Sequence, residues 1–468
     1  MALHTSLRQL VEVLQPLQSE AFSLSDAAGA IAISGVETDS RTVCPGEIFL
    51  ALKGETFDGH AFVSKAFKRG AIAAIVNQDS DVAREADRFD QPILPVLDTL
   101  QAYQAIARWW RHQCSAKIIA VTGSVGKTTT KELIAAVLAQ HGSVLKTQAN
   151  YNNEIGVPKT LLQLEPTHHF AVVEMGMRAA GEIAELTQIA QPDVAVITNV
   201  GTAHIGRLGS EEAIALAKCE LLADLSIDSI AVLNGDDERL MRVAKAVWTG
   251  TCITFGVENG TMTGQLLSPD SLTVENTEFL LPLPGRHNAL NFMAALAVAR
   301  ALELDWTKAS KNLSIQLPTG RAQRHWLTPD ILALDETYNA GVESMTAALH
   351  LLKETPGTRH VAVLGTMKEL GDRSIELHHR VGMVIQSLNL DCLFVLADPS
   401  ESEAMADGAG SVPVECFTQP ERLAERLAAW VQSGDRLLFK ASRAVGLEQV
   451  IEQIKTALSP ENSESPVP

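Results

Sequence analysis

Residues 118–138 read "IIAVTGSVGKTTTKELIAAVL". The stretch opens on a short apolar run, turns through two glycines and continues as a helical pattern. It fails the common phosphate-loop spacing G-x-x-x-x-G-K-[ST], because Val121 stands where the first glycine should be. The context still fits a phosphate loop, since the turn follows a buried strand and opens a helix. Gly123 and Gly126 let the backbone turn tightly, so that amides of residues 123–129 (Gly123, Ser124, Val125, Gly126, Lys127, Thr128 and Thr129) face phosphate oxygens. Lys127 would neutralise β/γ-phosphates and the Thr128 hydroxyl would ligate Mg²⁺. The plainer alternative is a strand–turn–helix with a capping threonine and a solvated lysine.

Composition narrows the partners. The chain has 468 residues, room for two to four domains at the usual ~100–200 residues each. A net charge of −18, from 38 Lys+Arg against 56 Asp+Glu, argues against a nucleic-acid surface but leaves room for a small anionic substrate in a locally basic site. No run of ~18 apolar residues suggests a membrane span. The first residues, "MALHTSLRQLVEVLQPL", read as an amphipathic helix rather than a signal peptide. Six scattered cysteines without a C-x-x-C pair suit a reduced, cytoplasmic protein.

Working outward, the chain divides into three α/β blocks and a tail. Residues 1–113 alternate short apolar runs with Gly-rich turns and end in a helical segment from about residue 97. Residues 114–317 carry the strands "AKIIAVTG", "HFAVVEMG", "DVAVITNVG" and "SIAVLNGDD" with helical patterns between them, which predicts a mostly parallel sheet. The run 251–283 shifts to short alternations, read as an antiparallel annex, and the helix "HNALNFMAALAVARALEL" follows. Residues 318–458 repeat the α/β alternation with "ILALDETYNA", "HVAVLGTM", "DCLFVLA" and "DRLLFKASR". The tail 459–468, rich in Pro, Ser and Glu, reads as disordered.

Several residues stand where chemistry is done. Glu174 ends a buried strand, at the edge where open parallel sheets bind ligands, and can hold a metal beside the loop; a solvated strand-end carboxylate is the alternative. His204 follows the next strand, a position equally open to a satisfied surface histidine. Lys218 lies in the helical "AIALAKCELL", either snorkelling to solvent or turned inward, where a carbamate would serve a metal and an ammonium would not. Asn288 and Asn291 share a helix face; they read a purine edge or cap the helix near Gly285. Asp335, Tyr338 and Asn339 sit at the end of another apolar strand.

The series "TGSVGKTTTKE", "ANYNNEIGVPKTLL", "EMGMRAAGEI", "TNVGTAHIG", "AKCELL", "GRHNALNFMAALA" and "LDETYNAGVESM" resembles, in order, the motifs of the Mur ligases over about residues 35–450. These are ATP-dependent amide ligases of peptidoglycan precursor synthesis, and the shortened phosphate loop is the family's own form. The resemblance implies a phosphate-loop ATPase-like central domain with a parallel sheet and annex, a C-terminal Rossmann-like domain and a smaller N-terminal α/β domain binding a UDP-sugar. It implies ATP and two Mg²⁺ ions, one at Thr128 and Glu174, the other at His204 and a carbamylated Lys218. Asn288 and Asn291 would face adenine, with Arg321 and Asp335 closing the nucleotide site. "DSRTVCPGEIFLALKG" places Ser40 and Arg41 in the uridine-nucleotide region. "NYNNEIG", "YNAGVESM", "AVLGTMKELG" and "FKASRAVGLE" are most similar to the members that add D-alanyl-D-alanine to UDP-N-acetylmuramoyl-tripeptide. On that likeness Asn150, Asn152, Asn153, Tyr338, Asn339, Lys440, Ser442 and Arg443 belong to substrate sites. The resemblance also implies a monomer, with no nucleic-acid partner, that closes about a hinge at 317–323. Departures stand at Glu336 and Thr366, where Asp is common, at Gly341-Val342, where Asn-Pro is common, and at Ala149 and Ala441, where Gly is common.

Four rivals give different expectations. A ligase for the third residue would carry another C-terminal signature, and a folate polyglutamate ligase would lack the N-terminal block. A regulatory module without catalysis would lack Lys127, Glu174, His204 or Lys218. A motor ATPase would respond to a polymer rather than a dipeptide.

Overall fold

The computed structural model describes residues 3, 5–18, 25–310 and 313–459. Of the tail expected to be disordered, all but Ser459 lies outside them.

The N-terminal helix Leu7–Leu14 starts at Ser6, whose hydroxyl accepts from the Gln9 amide, and it buries Leu7, Leu10 and Leu14 along one face. Four parallel strands follow in chain order: Gly35–Glu37, Glu47–Leu50, Ala73–Asn77 and Ile93–Val96. Asp98 accepts from the amides of Leu100 and Gln101 and so starts the connecting helix Thr99–Gln113.

The central sheet has nine strands, and Lys117–Thr122 lies inside it between Phe170–Glu174 and Val194–Ile197, parallel to both. Its side chains alternate between two cores. Ile118 and Ala120 belong to one buried cluster, and Ile119 and Val121 to the other, which also holds the inner faces of the helices Lys127–Leu138 and Arg286–Ala301. Burial on both faces is why this strand reads as an unbroken apolar run.

The structure corrects the annex. Cys252–Gly256 pairs in parallel with Ile230–Asn234, and only Met262–Ser268, Ser271–Val274 and Thr277–Leu280 form the antiparallel part. An edge strand, Val144–Lys146, was not foreseen; its three residues are half-buried and give no apolar run. The C-terminal sheet has six strands, of which Gln323–Thr328 (antiparallel) and Val414–Phe417 are likewise unforeseen edges. Edge strands lack the two-sided burial that makes a strand visible in sequence. No helix of the described residues is long and apolar enough to cross a membrane.

The largest buried cluster includes Leu10 and Ile48, Ile118 and Val173, and Leu334 and Leu364, so it runs through the four-, nine- and six-stranded sheets. One carboxylate anchors the connecting helix to the central strand. Asp193 accepts from Arg111 Nη2 at 2.9 Å, Lys117 Nζ at 2.8 Å and the Ile118 amide at 2.9 Å. Asp193→Ala would leave the half-buried Arg111 guanidinium and the Ile118 amide without this acceptor. It should lose about 1.5–3 kcal/mol, the range for hydrogen bonds to charged groups. Urea unfolding followed through Trp109 and Trp110 on that helix should shift to lower denaturant.

Candidate active site

The loop between Lys117–Thr122 and Lys127–Leu138 has two glycines at left-handed backbone angles, Gly123 at φ +152° and Gly126 at φ +82°. A Cβ on Gly123 would collide with Thr198 Oγ1, and one on Gly126 would come within 2.6 Å of Asn291 Oδ1. Both conformation and space therefore require glycine. The segment after Val194–Ile197 holds the loop. Ser124 N donates to Asn199 O at 3.0 Å, Val125 N to Asn199 Oδ1 at 3.0 Å, and Gly201 N to Ser124 Oγ at 2.8 Å. Thr198 Oγ1 donates to Val125 O at 2.7 Å. The helix begins at Gly126 with no side-chain cap, so its N-terminal amides remain for an anion. Lys127 Nζ lies over the loop, donating to Gly123 O at 2.6 Å, and burial pulls its pKa down.

Glu174 ends its strand beside this loop. Its Oε1 accepts from Asn152 Nδ2 at 2.9 Å, while Oε2 is buried without a hydrogen-bond partner. The nearest cation is Lys131 Nζ at 3.7 Å, which donates instead to Thr147 O at 2.8 Å. Lys131 is almost fully buried and was missed in the sequence, where it reads as one more helical lysine. An orphaned carboxylate oxygen beside Thr128 and a phosphate loop fits Mg²⁺, which takes one or two carboxylates and completes its shell with phosphate and water. Among the described residues no group of three or more His, Cys, Asp and Glu forms a closed metal cage.

His204 adopts φ +66°, and its Nδ1 stands 2.6 Å from Glu369 Oε2 without hydrogen-bond alignment. Burial lowers its pKa, opposed by the Glu369 carboxylate. Lys218 does not snorkel. It is 1% exposed in the helix Glu211–Ala223, and burial together with the Lys127 ammonium holds its pKa well below the usual lysine value.

One cavity of about 1430 Å³ joins the phosphate loop, Asn150, Asn152, Asn153, Glu174, His204, Asn288 and Asn291 to Arg321, Tyr338, Asn339 and Lys440 from the C-terminal part. Arg321 stacks on the Tyr338 ring at 4.1 Å, and its Nε is buried without a partner. Lys440 donates to Asn339 O at 2.9 Å, and burial lowers its pKa. The amides of Asn288 and Asn291 are partly committed. Asn288 Nδ2 donates to Pro284 O at 2.9 Å, and Asn291 Oδ1 accepts from Thr130 Oγ1 at 3.1 Å. The helix has no side-chain cap at Gly285, so these bonds do not make the two asparagines its caps, and both still line the cavity.

Other predicted residues lie apart. Asp335 is turned away from the cavity toward Thr337, whose amide and hydroxyl it accepts, and Glu336 lines the cleft instead. The reason is strand alternation: neighbouring residues point to opposite faces. Ser442 accepts from the Lys368 amide at 2.9 Å, and Arg443 reaches toward Glu448. Ser40 is buried, and Arg41 forms a bidentate pair with Asp39, whose pKa falls to about 2. This loop meets the cleft wall through Glu37, 3.7 Å from Lys159, which itself lies 5.2 Å over the Tyr151 ring.

Three family models match the chain: "Mur ligase family, catalytic domain" at residues 32–111, "Mur ligase middle domain" at 121–299 and "Mur ligase, glutamate ligase domain" at 320–443. The UDP-N-acetylmuramoyl-tripeptide–D-alanyl-D-alanine ligase of Synechocystis sp. is 49% identical over 447 residues, 95% of this chain and 97% of that protein. The Escherichia coli ligase of the same name is 36% identical, covering 91% and 94%. Among solved structures, MurF from Acinetobacter baumannii superposes with a TM-score of 0.85 at 31% identity, covering 97% and 99%. MurF from Thermotoga maritima in complex with ADP gives 0.79 at 32%, covering 91% and 97%.

His287 also lines the cavity and carries a pH dependence. Burial and Lys440 depress its pKa to about 4, below the ordinary 6.5. The unfolded chain takes up this proton first, so the contribution is full above about pH 6.5 and declines as pH falls toward 4. Replacing His287 with Gln should flatten the stability profile between those values in urea melts at stepped pH.

Proposed function

The chain belongs to the Mur ligase family, and we infer that it joins D-alanyl-D-alanine to the tripeptide carboxylate of UDP-N-acetylmuramoyl-tripeptide, converting ATP to ADP and phosphate. This is an amide-forming step of peptidoglycan synthesis, and through it of cell-wall growth, shape and division. The observation that carries the reading is the single cavity on which the phosphate loop, the orphaned Glu174 oxygen, His204, Arg321 and Lys440 converge. We take the three sheets as the cores of three domains, 1–113, 114–317 and 318–458, working as a monomer in the cytoplasm.

The tripeptide carboxylate is a poor electrophile. Its oxygen attacks the γ-phosphorus, the bond to the β–γ bridging oxygen breaks, and ADP leaves an acyl phosphate. The free amine of D-alanyl-D-alanine attacks the carbonyl carbon, the carbon–oxygen bond to phosphate breaks, and the amine's proton is lost. Two anions must approach, so charge neutralisation and alignment dominate. Lys127 and the amides at the start of its helix face the phosphates, while the Ser124 and Val125 amides, expected to do so, are spent on Asn199. Mg²⁺, held at Thr128 and Glu174 and, as a second ion, at His204 and Lys218, would supply further positive charge. Arg321 covers the nucleotide from the C-terminal side, beside the Asn288 and Asn291 wall. Asn150, Asn152, Asn153 and Tyr338 flank the acceptor peptide, Ser40 and Arg41 the uridine nucleotide, and Asn339 and Lys440 the incoming dipeptide, with Ser442 and Arg443 behind them.

Lys218 fits the second site as a carbamate. An ammonium would repel a cation, whereas the neutral amine favoured by burial adds CO₂, releases one proton and gains a negative oxygen. Lys218→Ala should lose most activity, with partial rescue by a short carboxylic acid. Lys218→Arg should not substitute, since guanidinium stays cationic. A ¹³C carbamate resonance under labelled CO₂ should appear in the wild type and vanish in both variants; full activity of Lys218→Arg would overturn the assignment.

Phosphate release across a panel of amine donors tests the function. D-alanyl-D-alanine should stimulate it with UDP-N-acetylmuramoyl-tripeptide. Stimulation only by diaminopimelate, lysine or glutamate would point to another ligase. Lys127→Ala should lose at least ~10²-fold, the size of comparable electrostatic effects.

A further inference from the structure

The segment 198–206 joins two parts of the molecule. On one side it holds the phosphate loop, through Asn199 and through Gly201 N on Ser124 Oγ. On the other it is gripped by the C-terminal part. Glu343, in the first turn of the helix Val342–Glu354, accepts from Thr202 N at 2.8 Å and from Thr202 Oγ1 at 3.1 Å. Gly201 leaves room for this carboxylate: a Cβ there would lie 2.5 Å from the carboxyl carbon of Glu343. Four residues beyond Thr202, Gly206 N donates to Glu369 O at 3.1 Å, and Gly206 packs against Gly371. Thr202 is 1% exposed and Gly201 is buried, while Glu343 is half-buried and lines the cavity.

We propose that Glu343 is a positioning residue that ties the C-terminal domain to the phosphate loop by way of Thr202, Gly201 and Ser124. The segment between the two domains carries His204 in a left-handed conformation that is uncommon for residues other than glycine. Contacts from both sides hold it there. Ser124 and Asp237, which accepts from Val200 N at 2.6 Å, act from the central domain; Glu343 and the loop around Glu369 act from the C-terminal one. When the C-terminal domain swings away, Thr202 loses its acceptor and the segment loses one of its two supports. The phosphate loop is thereby set in its working form only when the domain that presents the amine is docked. The inference rests on the ligase reading for its consequence in turnover, while the contact can be tested without it.

The test is a double-mutant cycle on the full chain between E343A and G201A, with E343Q as the conservative variant. G201A displaces the carboxylate without backbone strain, because Gly201 has no left-handed angle. Each single variant should lower kcat about tenfold or more, the weight of a charge-assisted pair of hydrogen bonds, and speed hydrogen exchange at the Thr202 amide. The double variant should be no worse than E343A alone, since the added methyl then meets no carboxylate. E343Q keeps an acceptor for Thr202 N and should recover most of the turnover and exchange protection. Should E343A not fold, the comparison of G201A with E343Q carries the same decision. Wild-type turnover in a folded E343A overturns the proposal. So does an E343Q as inactive as E343A, which would make the negative charge itself catalytic, or fully additive losses in the double variant. Absence of ligation by the wild type would instead overturn the ligase reading, with Thr202 exchange still deciding whether Glu343 holds the segment.

Discussion

The structure depends on one short backbone path, the turn from Thr122 to Lys127, held open by two glycines and by Asn199. A loop that presents amides to an anion cannot use those amides for its own secondary structure, so something else must fix its shape. Here the segment that follows the neighbouring parallel strand Val194–Ile197 does so. Asn199 takes the amides of Ser124 and Val125, and Thr198 and Asn199 both donate to the Val125 carbonyl. The anion-binding amides point outward because the remaining polar groups of the loop are satisfied from behind. The two-core sheet beneath keeps those two strand ends side by side.

The second constraint is electrostatic. The chain as a whole is strongly acidic and so is much of the cleft wall, but Lys127, Arg321 and Lys440 also line it, and Lys131 and Lys218 are buried. Buried ammonium groups without full pairing are costly, and the depressed pKa values of Lys127, Lys218 and Lys440 record that cost. A nucleotide triphosphate and an acyl phosphate are the ligands that relieve it. Burial likewise raises the pKa of Glu336, opposed by Lys440 and Arg321, which line the same cleft.

Two departures from the family pattern become intelligible in three dimensions. Ala149 has φ +48°, a left-handed angle that explains why glycine is common there and implies local strain in the alanine. Thr366 donates to Glu401 Oε2 at 2.7 Å, and Ser374 to Glu401 Oε1 at 2.8 Å, so a carboxylate from another helix stands behind the loop that carries Glu369. The opposite edge of that loop is fixed by His378 Nε2, which accepts from the Met367 amide at 3.0 Å.

The sequence by itself determined the α/β character, the interior strands and the phosphate loop, because two-sided burial writes unbroken apolar runs and a strand–glycine–helix turn is a local pattern. The motif order carried the family, and Glu174 was legible because strand ends announce themselves. Edge strands such as Val144–Lys146 and Val414–Phe417 left no such mark. Only the tertiary structure decided which face of each element meets the cleft. It turned Lys218 inward, put Glu336 rather than Asp335 on the cavity wall, spent much of Asn288 and Asn291 on neighbouring groups, and brought Glu343 to Thr202 across 141 positions of chain. Periodicity gives a side chain its phase along an element. What stands opposite that side chain is set by how sheets from distant segments pack, and no local pattern contains it.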